Sequence, residues 1–444
     1  MKIHILGICG TFMGGIAAIA RELGHDVSGS DQGVYPPMSD TLRQQGITLM
    51  SGYLPQHLDP APDLVIIGNA LSRGNPAVEY VLNQNIPYTS GPQWLAENVL
   101  QQRHVLAVSG THGKTTTTAM LAWILESAGL NPGYLIGGVA KDFTTTARLG
   151  ERYFVIEADE YDTAYFDKRS KFIHYRPRTL IMNNLEFDHA DIFTDLDAIK
   201  LQFQYALRGV PGDGCIISNA NDEHVQSVLA RGCWSRQAMF GDERGWHARD
   251  VATDFSEFTV YEGDERQGVV RWAMLGAYNM MNGLAAIAAA TEVGMSARSA
   301  CDALSQFGGV KRRLEQRGVV KGAILYDDFA HHSTAIEATL KALRARVGKK
   351  RIIAVLQFGS NTMMMPEHSQ HIIPALAEAD EVILLEPDNF STQAICNALG
   401  PHAQSFTDVD AIVTHVAALA KPDDQLLVMS NKGFDGLHEK LLAL

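Results

Sequence analysis

Three things are scarce in this sequence: cysteine, long apolar runs and net positive charge. The five cysteines among 444 residues are scattered and lack the spacing of metal ligands, so we expect neither a disulfide framework nor a Cys-based zinc site. No apolar run approaches the roughly 20 residues that span a bilayer, and the N-terminus lacks the form of a signal peptide. A formal net charge of −13 argues against a general surface for nucleic acid or anionic membranes. We therefore expect a cytoplasmic protein with neither of those partners.

The chain length and the order of strand and helix patterns predict an α/β protein of three domains. A chain of 444 residues is too long for one hydrophobic core, and strand patterns alternate with helix patterns along it. We expect a Rossmann-like domain at 1–102, a central domain at 103–314 with the parallel sheet of P-loop ATPases, and a Rossmann-like domain at 315–444. The sequence makes no prediction of the oligomeric state.

A phosphate-binding loop is predicted at the start of the central domain. An apolar run at 105–108 predicts a buried strand, and the apolar spacing after residue 117 predicts a helix. Between them lie Gly110, Thr111, His112, Gly113, Lys114, Thr115 and Thr116. A glycine turn before a helix gathers backbone N–H groups at one point, where they can bind phosphate. In such loops the lysine contacts the terminal phosphates and the first threonine binds Mg²⁺. This predicts an ATP site, although Val108 stands where the general Walker A pattern has glycine; an ordinary glycine turn is the alternative.

A second nucleotide-binding turn is predicted in the first domain. An apolar strand pattern at 3–6 ends at Gly7, and a helix is expected at 15–23, so the segment through Gly10 and Thr11 is typical of a Rossmann βα turn. Polar residues follow the next strand patterns at their carboxyl ends: Ser30, Asp31 and Asn69. Such residues line the crevice of open α/β sheets. A dehydrogenase would look similar here, and a purely structural turn is the other alternative.

Two acidic clusters follow strand patterns of the central domain. Glu157, Asp159, Glu160 and Asp162 come after the pattern at 153–156, and Glu186, Asp188, His189 and Asp191 come after the pattern at 179–182. Carboxylates at the ends of parallel strands face the bound ligand. Beside a phosphate loop they predict Mg²⁺ ligands, with His189 available for a second metal. Solvated loop charges are the alternative for any one of them.

The start of the third domain supplies further candidates. Arg313 belongs to a short basic run, and we expect it to reach the γ-phosphate of ATP when the domains close; a solvated linker is the alternative. Asp328 ends a predicted strand, and His331 and His332 lie in the turn before a helix. The pattern at 334–337 predicts a capping box at the start of that helix.

Five motifs occur in order along the chain and together resemble those of the Mur ligase family. They are Gly-Thr-His-Gly-Lys-Thr-Thr from Gly110, Glu-Ala-Asp-Glu from Glu157, Asn-x-x-x-Asp-His-x-Asp from Asn184, Gly-x-Tyr-Asn-x-x-Asn from Gly276 and Asp-Asp-Phe-Ala-His-His from Asp327. The resemblance covers the whole chain. It implies an ATP-dependent enzyme that forms amide bonds on peptidoglycan precursors.

Within that family, the segments at 7–13, 157–163, 166–172, 174–177 and 360–363 are most similar to members that act on a tripeptide. This implies that ATP and Mg²⁺ drive the joining of UDP-N-acetylmuramate to L-Ala-γ-D-Glu-meso-diaminopimelate through an acyl phosphate, in peptidoglycan recycling. A ligase that adds L-alanine to the same sugar nucleotide is the alternative within the family. A non-catalytic UDP-sugar sensor that uses ATP as a switch is the alternative from another class.

The resemblance also implies roles for individual residues. Lys114, Glu157, His189, Arg313 and His332 are expected to act in catalysis, and Thr115, Glu157 and His189 to hold metal. Asn279 and Asn282 are expected at the adenine and Asp328 at the ribose of ATP, while Gly7, Gly10, Thr11, Ser30, Asp31 and Asn69 are expected to bind the UDP-sugar. Close relatives usually carry arginine at the position of Gly359, so we expect another basic residue, such as Lys432, to bind the acceptor carboxylate.

Overall fold

A computed structural model describes residues 1–35, 38–190, 192–359 and 362–444. Asp191, Ser360 and Asn361, which belong to motifs named above, lie outside the described residues. Strands and helices form three main sheets and one small hairpin, which confirms the three-domain α/β fold; the domain limits at 102/103 and 314/315 stay a prediction. Within the described ranges, no helix is both long enough and apolar enough to cross a lipid bilayer.

The first sheet is entirely parallel. Its strands are β1 (Lys2–Leu6), β2 (Asp26–Asp31), β3 (Thr48–Ser51), β4 (Leu64–Ile67) and β5 (Tyr88–Ser90), and its helices are α1 (Thr11–Glu22), α2 (Met38–Gln44), α3 (Pro76–Asn83) and α4 (Gly91–Asn98), with 3-10 helices at Pro55–Leu58 and Leu100–Gln102. The strand order is β3-β2-β1-β4-β5. α1 begins four residues before its expected start, because Gly10 takes the N-cap position with an extended backbone. The helix end therefore lies directly at the turn after β1.

The central sheet places the phosphate loop between the two acidic clusters. The strands are β6 (His104–Ser109), β7 (Gly133–Leu135), β8 (Ala147–Arg148), β9 (Tyr153–Glu157), the hairpin β10 (Asp162–Ala164) and β11 (Asp167–Ser170), β12 (Thr179–Met182), β13 (Cys215–Asn219), β14 (Arg236–Phe240), β15 (Trp246–Arg249), β16 (Glu257–Glu262) and β17 (Glu265–Arg271). The sheet order is β17-β16-β15-β14-β13-β12-β6-β9-β7-β8. Both neighbours of β6 run parallel to it, with Val108 beside Glu157 and Ser109 beside Met182. All three segments thus leave the sheet at one edge.

Helices cover both faces of this sheet, which buries the central strands completely. They are α5 (Lys114–Ser127), α6 (Leu196–Arg208), α7 (Glu223–Ala230), α8 (Ala277–Thr291) and α9 (Ala297–Leu304), with a 3-10 helix at Lys171–His174. α5 and α8 pack against each other in a core shared with Leu106 and Val108 of β6. This core fixes the start of α5, and with it the phosphate loop.

The third sheet forms the predicted Rossmann-like α/β unit, but neither of its two edge strands was predicted. Its elements are β18 (Glu315–Val320), β19 (Ala323–Asp328), α10 (Ser333–Val347), β20 (Ile352–Gln357), α11 (Pro366–Ala375), β21 (Glu381–Leu385), α12 (Gln393–Leu399), β22 (Ala403–Phe406), α13 (Val409–Leu419), β23 (Gln425–Met429) and α14 (Leu437–Leu442), with 3-10 helices at Thr362–Met364 and Phe434–Gly436. The order is β18-β19-β23-β20-β21-β22, and β18 alone is antiparallel. The capping-box prediction is wrong: His332 holds the N-cap position, and its side chain makes no capping hydrogen bond.

One apolar core joins the first and central sheets. It contains Ile16 of α1 together with Leu135 of β7, Ala147 of β8 and Phe154 of β9. At the other end of the contact, the Phe166 ring of the β10–β11 hairpin lies 5.1 Å from the Tyr88 ring of the first sheet. The turn between β1 and α1 is therefore held close to the central domain.

Candidate active site

The glycine-rich segment forms a tight loop between β6 and α5. Gly110 and Gly113 have φ angles of +136° and +81°, in the region that favours glycine. Asn184 holds the loop from outside: its Oδ1 accepts the N–H of His112 at 2.7 Å, and its carbonyl accepts the N–H of Thr111 at 3.1 Å. These bonds leave the N–H groups of the first turn of α5 free for an anion.

The Lys114 side chain lies among the carboxylates that follow β9. Its Nζ donates to Glu160 Oε2 and to the Gly110 carbonyl, both at 2.8 Å. Burial alone would lower the pKa of Lys114, but Glu160 and Asp159 outweigh it and raise that pKa to about 12. A phosphate bound at the loop would therefore meet a permanent, fixed cation.

The side-chain oxygens of Thr115 and Glu157 lie together at the base of the loop. Thr115 Oγ1 donates to Glu157 Oε1 at 2.8 Å, and the Gly137 N–H donates to Oε2 at 2.7 Å. Burial and the neighbouring Asp159 raise the pKa of Glu157. A hydroxyl and a carboxylate beside a phosphate site are ligands that Mg²⁺ prefers, so the pair fits this ion. The side chain of Thr116 is buried, so its backbone N–H is the group it can offer to a phosphate.

His189 lies on the far side of Glu160 from Lys114. Its Nε2 is 3.5 Å from Glu160 Oε1, and its ring centroid is 5.1 Å from that of Tyr161. His189 has a φ of +56°, a conformation that is uncommon for residues with a β-carbon and often marks functional sites. The Glu160 carboxylate thus lies between this predicted metal ligand and Lys114.

Glu186 connects the phosphate loop to the third domain. Its Oε2 lies 3.4 Å from His112 Nε2 and 3.5 Å from His332 Nδ1, and it accepts a hydrogen bond from Thr334 Oγ1 at 2.7 Å. Burial alone would raise the pKa of Glu186, but His112 and then the other partners lower it to about 2. In the described part of the chain, His112, Glu186 and His332 form the one group of three His or acidic side chains whose possible metal-binding atoms all lie within 4.8 Å of one another. Glu186 is therefore an ionised link across the domain boundary.

The predicted adenine residues lie on α8, against the same loop. Asn279 Nδ2 donates to the Leu275 carbonyl at 2.8 Å, and Asn282 Oδ1 accepts from Asn183 Nδ2 at 3.4 Å. A β-carbon added at Gly113 would lie 2.5 Å from Asn282 Oδ1. The loop and α8 are thus in direct contact, and Gly113 is required for that approach as well as for its φ angle.

The linker into the third domain changes partners between two neighbouring residues. The Lys311 N–H donates to the Val139 carbonyl of the central domain at 2.9 Å. The Arg312 guanidinium instead donates to the carbonyls of Ser430 and Lys432, at 2.5 and 2.8 Å. Lys311 therefore contacts the central domain, whereas Arg312 contacts the third domain.

Arg313, the next residue of this linker, lies over the same Phe329 ring as Arg312 and close to Asp328. Its guanidinium lies 5.2 Å from the Phe329 ring centroid and forms no ion pair within 4 Å among the residues described. Asp328 accepts the N–H groups of Leu314 and Ala330 at 2.6 and 2.7 Å. Burial raises the pKa of Asp328, and Arg313 opposes that rise. Arg313 is thus held near an acidic residue and has a charge to offer a phosphate.

Asp31 shapes the turn of the first domain. Its Oδ2 accepts the N–H of Cys9 and its Oδ1 that of Gly33, each at 2.9 Å. Gly7 has a φ of +82°, and Gly10 caps α1, so the N–H groups from Thr11 onward face the same turn. The turn can bind an anion by the same geometry as the ATP loop.

The other predicted UDP-sugar residues lie beside that turn. The Ser30 hydroxyl is fully buried, 2.9 Å from His4 Nε2 and 3.0 Å from His57 Nδ1. Burial, with a smaller contribution from His57, lowers the pKa of His4 to about 4. Asn69 follows β4 and is half-buried. Ser30 therefore supports the sheet end, and its contact with a ligand stays a prediction.

The position of Gly359 leaves little space for the family arginine. A β-carbon there would lie 1.9 Å from Asn431 Oδ1, so a larger residue requires Asn431 to move. Lys432 is exposed, and its N–H donates to Ser430 Oγ at 2.9 Å. The basic residue suggested as a substitute thus lies on the turn that borders Gly359.

Sequence reasoning missed three features of this site. It did not find the Gly137 N–H that orients Glu157, although a Gly-Gly pair after a strand pattern was an available signal. It placed Glu186 in an acidic cluster but did not foresee its bond to Thr334, which is 148 residues away. It also assigned no role to Lys171, which is buried beside Asp159.

Three family models match consecutive parts of the chain. They are described as the Mur ligase family catalytic domain at residues 2–103, the Mur ligase middle domain at 108–290 and the Mur ligase glutamate ligase domain at 312–432. Together the matches cover most of the chain and all three sheets.

Individual relatives extend over the whole length. The chain is 56% identical to the UDP-N-acetylmuramate–L-alanyl-γ-D-glutamyl-meso-2,6-diaminoheptandioate ligase of Escherichia coli, covering 100% of this chain and 98% of the relative. It is 30% identical to the UDP-N-acetylmuramate–L-alanine ligase of Desulforapulum autotrophicum, covering 100% and 98%. The crystal structure of a murein peptide ligase from Psychrobacter arcticus superposes with a TM-score of 0.79 at 46% identity, covering 100% and 98%. The chain therefore belongs to the Mur ligase family of ATP-dependent enzymes.

Proposed function

We propose that this chain joins UDP-N-acetylmuramate to L-Ala-γ-D-Glu-meso-diaminopimelate, with ATP converted to ADP and phosphate. The relative from Escherichia coli, whose name states that ligase, supports the choice of substrates. The geometry supports the chemistry through one observation above the others: the charged Lys114 lies at the start of a helix beside the Thr115–Glu157 oxygen pair.

The positive groups of the loop can offset the repulsion between the two anions that react in the first step. A carboxylate of the sugar nucleotide and the γ-phosphate of ATP are both anions, so their approach requires fixed positive charge. In this proposal Lys114, the N–H groups of α5 and Arg313 supply that charge. Mg²⁺ held by Thr115 and Glu157, with His189 available for a second ion, would add charge on the phosphate oxygens.

The first step forms an acyl phosphate. An oxygen of the lactyl carboxylate attacks the γ-phosphorus, the bond from that phosphorus to the bridging oxygen breaks, and ADP leaves. Asn279 and Asn282 hold the adenine and Asp328 the ribose in this proposal. Gly7, Gly10, Thr11, Ser30, Asp31 and Asn69 hold the UDP-sugar.

The second step forms the amide. The amine of the tripeptide attacks the acyl carbon, phosphate leaves, and the nitrogen loses a proton. His332 lies beside Glu186 where the third domain meets the phosphate loop, and we assign it the role of receiving that proton. In this proposal the third domain, at 315–444, binds the tripeptide and the domain at 1–102 presents the sugar nucleotide to the central domain at 103–314.

The test is an acceptor panel with ADP release as the readout. The purified chain receives UDP-N-acetylmuramate, ATP and Mg²⁺ with the tripeptide, with L-alanine or with no acceptor, and mass spectrometry identifies the product. We expect kcat/KM for the tripeptide to exceed that for L-alanine by about 100-fold or more, because polar groups built for a long acceptor stay unpaired with a short one. Preference for L-alanine would assign the other ligase, and absence of amide product with both would refute a ligase function.

A further inference from the structure

Lys171 is a buried lysine whose surroundings the mechanism above does not explain. It opens the 3-10 helix at Lys171–His174, directly after β11, and its side chain is 4% exposed. Burying an ammonium group costs several kcal/mol unless charges and hydrogen bonds compensate it. A lysine kept at such a position therefore calls for a specific partner.

The compensation within the described residues is incomplete. The Lys171 ammonium has three N–H donors, and it donates one long hydrogen bond, to Asp159 Oδ2 at 3.4 Å. The rings of Tyr161 and Phe12 lie 4.2 and 4.5 Å from Nζ and stabilise the cation by cation–π attraction. Rings do not replace hydrogen-bond acceptors, so two donors stay available for a further acceptor.

The position of Lys171 indicates which acceptor this is. Phe12 follows Thr11 in the first turn of α1, where the first-domain turn gathers its free N–H groups. Asp159 belongs to the acidic cluster that raises the pKa of Lys114 at the ATP loop. Lys171 therefore contacts the helix start after the first-domain turn and an acidic residue that lies beside the ATP loop.

We infer that Lys171 binds an anionic oxygen of the sugar nucleotide, so that the central domain contributes a cation to a ligand held by the first domain. The inference rests on the proposed function, since it takes UDP-N-acetylmuramate as the ligand. That molecule offers two anionic groups of the required chemistry, the diphosphate and the lactyl carboxylate. Either bond orients the sugar nucleotide toward the ATP loop.

The experiment compares ligand affinities of the full-length chain with lysine or methionine at position 171. Isothermal titration calorimetry with UDP-N-acetylmuramate should show Lys171→Met binding about 10- to 100-fold more weakly, as expected for the loss of a charge-assisted hydrogen bond in a buried site. The affinity for a non-hydrolysable ATP analogue with Mg²⁺ should change less than threefold. UDP-N-acetylglucosamine, which lacks the lactyl group, separates the two sources: equal weakening assigns the diphosphate, and unchanged binding assigns the carboxylate.

Two further variants keep the inference open to refutation. Lys168 lies on the same hairpin with a side chain that is 71% exposed, so Lys168→Met is the matched control and should bind like the wild type. If Lys171→Met does not fold, the double variant Lys171→Met/Asp159→Asn removes both buried charges and should still bind the sugar nucleotide weakly. Affinity within threefold of the wild type in a folded variant overturns the inference. A wild-type chain that does not bind UDP-N-acetylmuramate would instead refute the proposed function.

Discussion

The substitution Lys114→Met tests the ion pair at the centre of the ATP loop. The side chains of Lys114 and Glu160 are 11% and 3% exposed, with Nζ and Oε2 2.8 Å apart. Breaking a buried pair by removing one partner costs about 3–5 kcal/mol, because the remaining charge loses its compensation. At about 2–4 °C per kcal/mol for a domain of 150–250 residues, the midpoint of thermal unfolding should fall by roughly 6–20 °C.

The double variant Lys114→Met/Glu160→Gln separates stability from activity. It removes the carboxylate that the single variant leaves unpaired, so most of the lost thermal stability should return. Activity should not return, because the phosphate still lacks its cation; loss of one such group lowers kcat by at least about 100-fold. Both variants should bind UDP-N-acetylmuramate with wild-type affinity, since Lys114 lies in the other nucleotide site.

The assays are ADP release with the tripeptide, thermal unfolding and titration with UDP-N-acetylmuramate. Turnover of the double variant within tenfold of the wild type would contradict the role of Lys114 in ATP chemistry. An unchanged unfolding midpoint in the single variant would contradict the buried ion pair. The activity of the double variant therefore tests the role of Lys114 in ATP chemistry, and the unfolding midpoint of the single variant tests the buried ion pair.

Three other substitutions follow from contacts at the site. In Gly137→Ala the new β-carbon would lie 2.4 Å from Glu157 Oε2, so this carboxylate must move, and ADP release should require several-fold more Mg²⁺; an unchanged Mg²⁺ dependence would count against the Thr115–Glu157 pair. Gly113→Ala meets Asn282 at 2.5 Å and retains a φ of +81°, so calorimetry should show ATP-analogue binding lost in a chain that still binds the sugar nucleotide. The pKa of Glu186 is lowered from 4.5 to about 2, so its stabilisation is present above pH 4.5 and is lost as the pH falls toward 2. Thermal unfolding should therefore show the wild type losing its advantage over Glu186→Gln across that range; a constant difference would contradict the ionised link.

Features fixed by short stretches of sequence were predictable. The strand, glycine turn and lysine of the ATP loop lie within 20 residues, and the structure places them as expected at the start of α5. The acidic segments after β9 and β12 also lie at the same sheet edge, because parallel strands on both sides of β6 present their carboxyl ends together. The roles assigned to the individual residues stay predictions.

Features that depend on distant partners were not predictable. The segment at β18 is charged and half-exposed, and without an apolar alternation it gave no strand signal. Thr334 fitted a local capping pattern, but its hydroxyl donates to Glu186 in another domain. No local pattern singled out Lys171, which the fold buries between Phe12 and Tyr161. In each case a tertiary contact outweighed the local preference.

Lys311 and Arg312 are neighbours in sequence but form hydrogen bonds to different domains, so a rotation of the third domain relative to the central domain would act on the link between them. Lys311 is bonded to the Val139 carbonyl of the central domain and Arg312 to the turn after β23, so the torsion angles of this link are where a rotation of the third domain would begin. Arg313 is one residue beyond this link, so a rotation about it would move Arg313 less than the outer strands of the third sheet. We therefore expect a small displacement of Arg313 to bring it to the γ-phosphate when the domains close, while the outer part of the third domain moves farther.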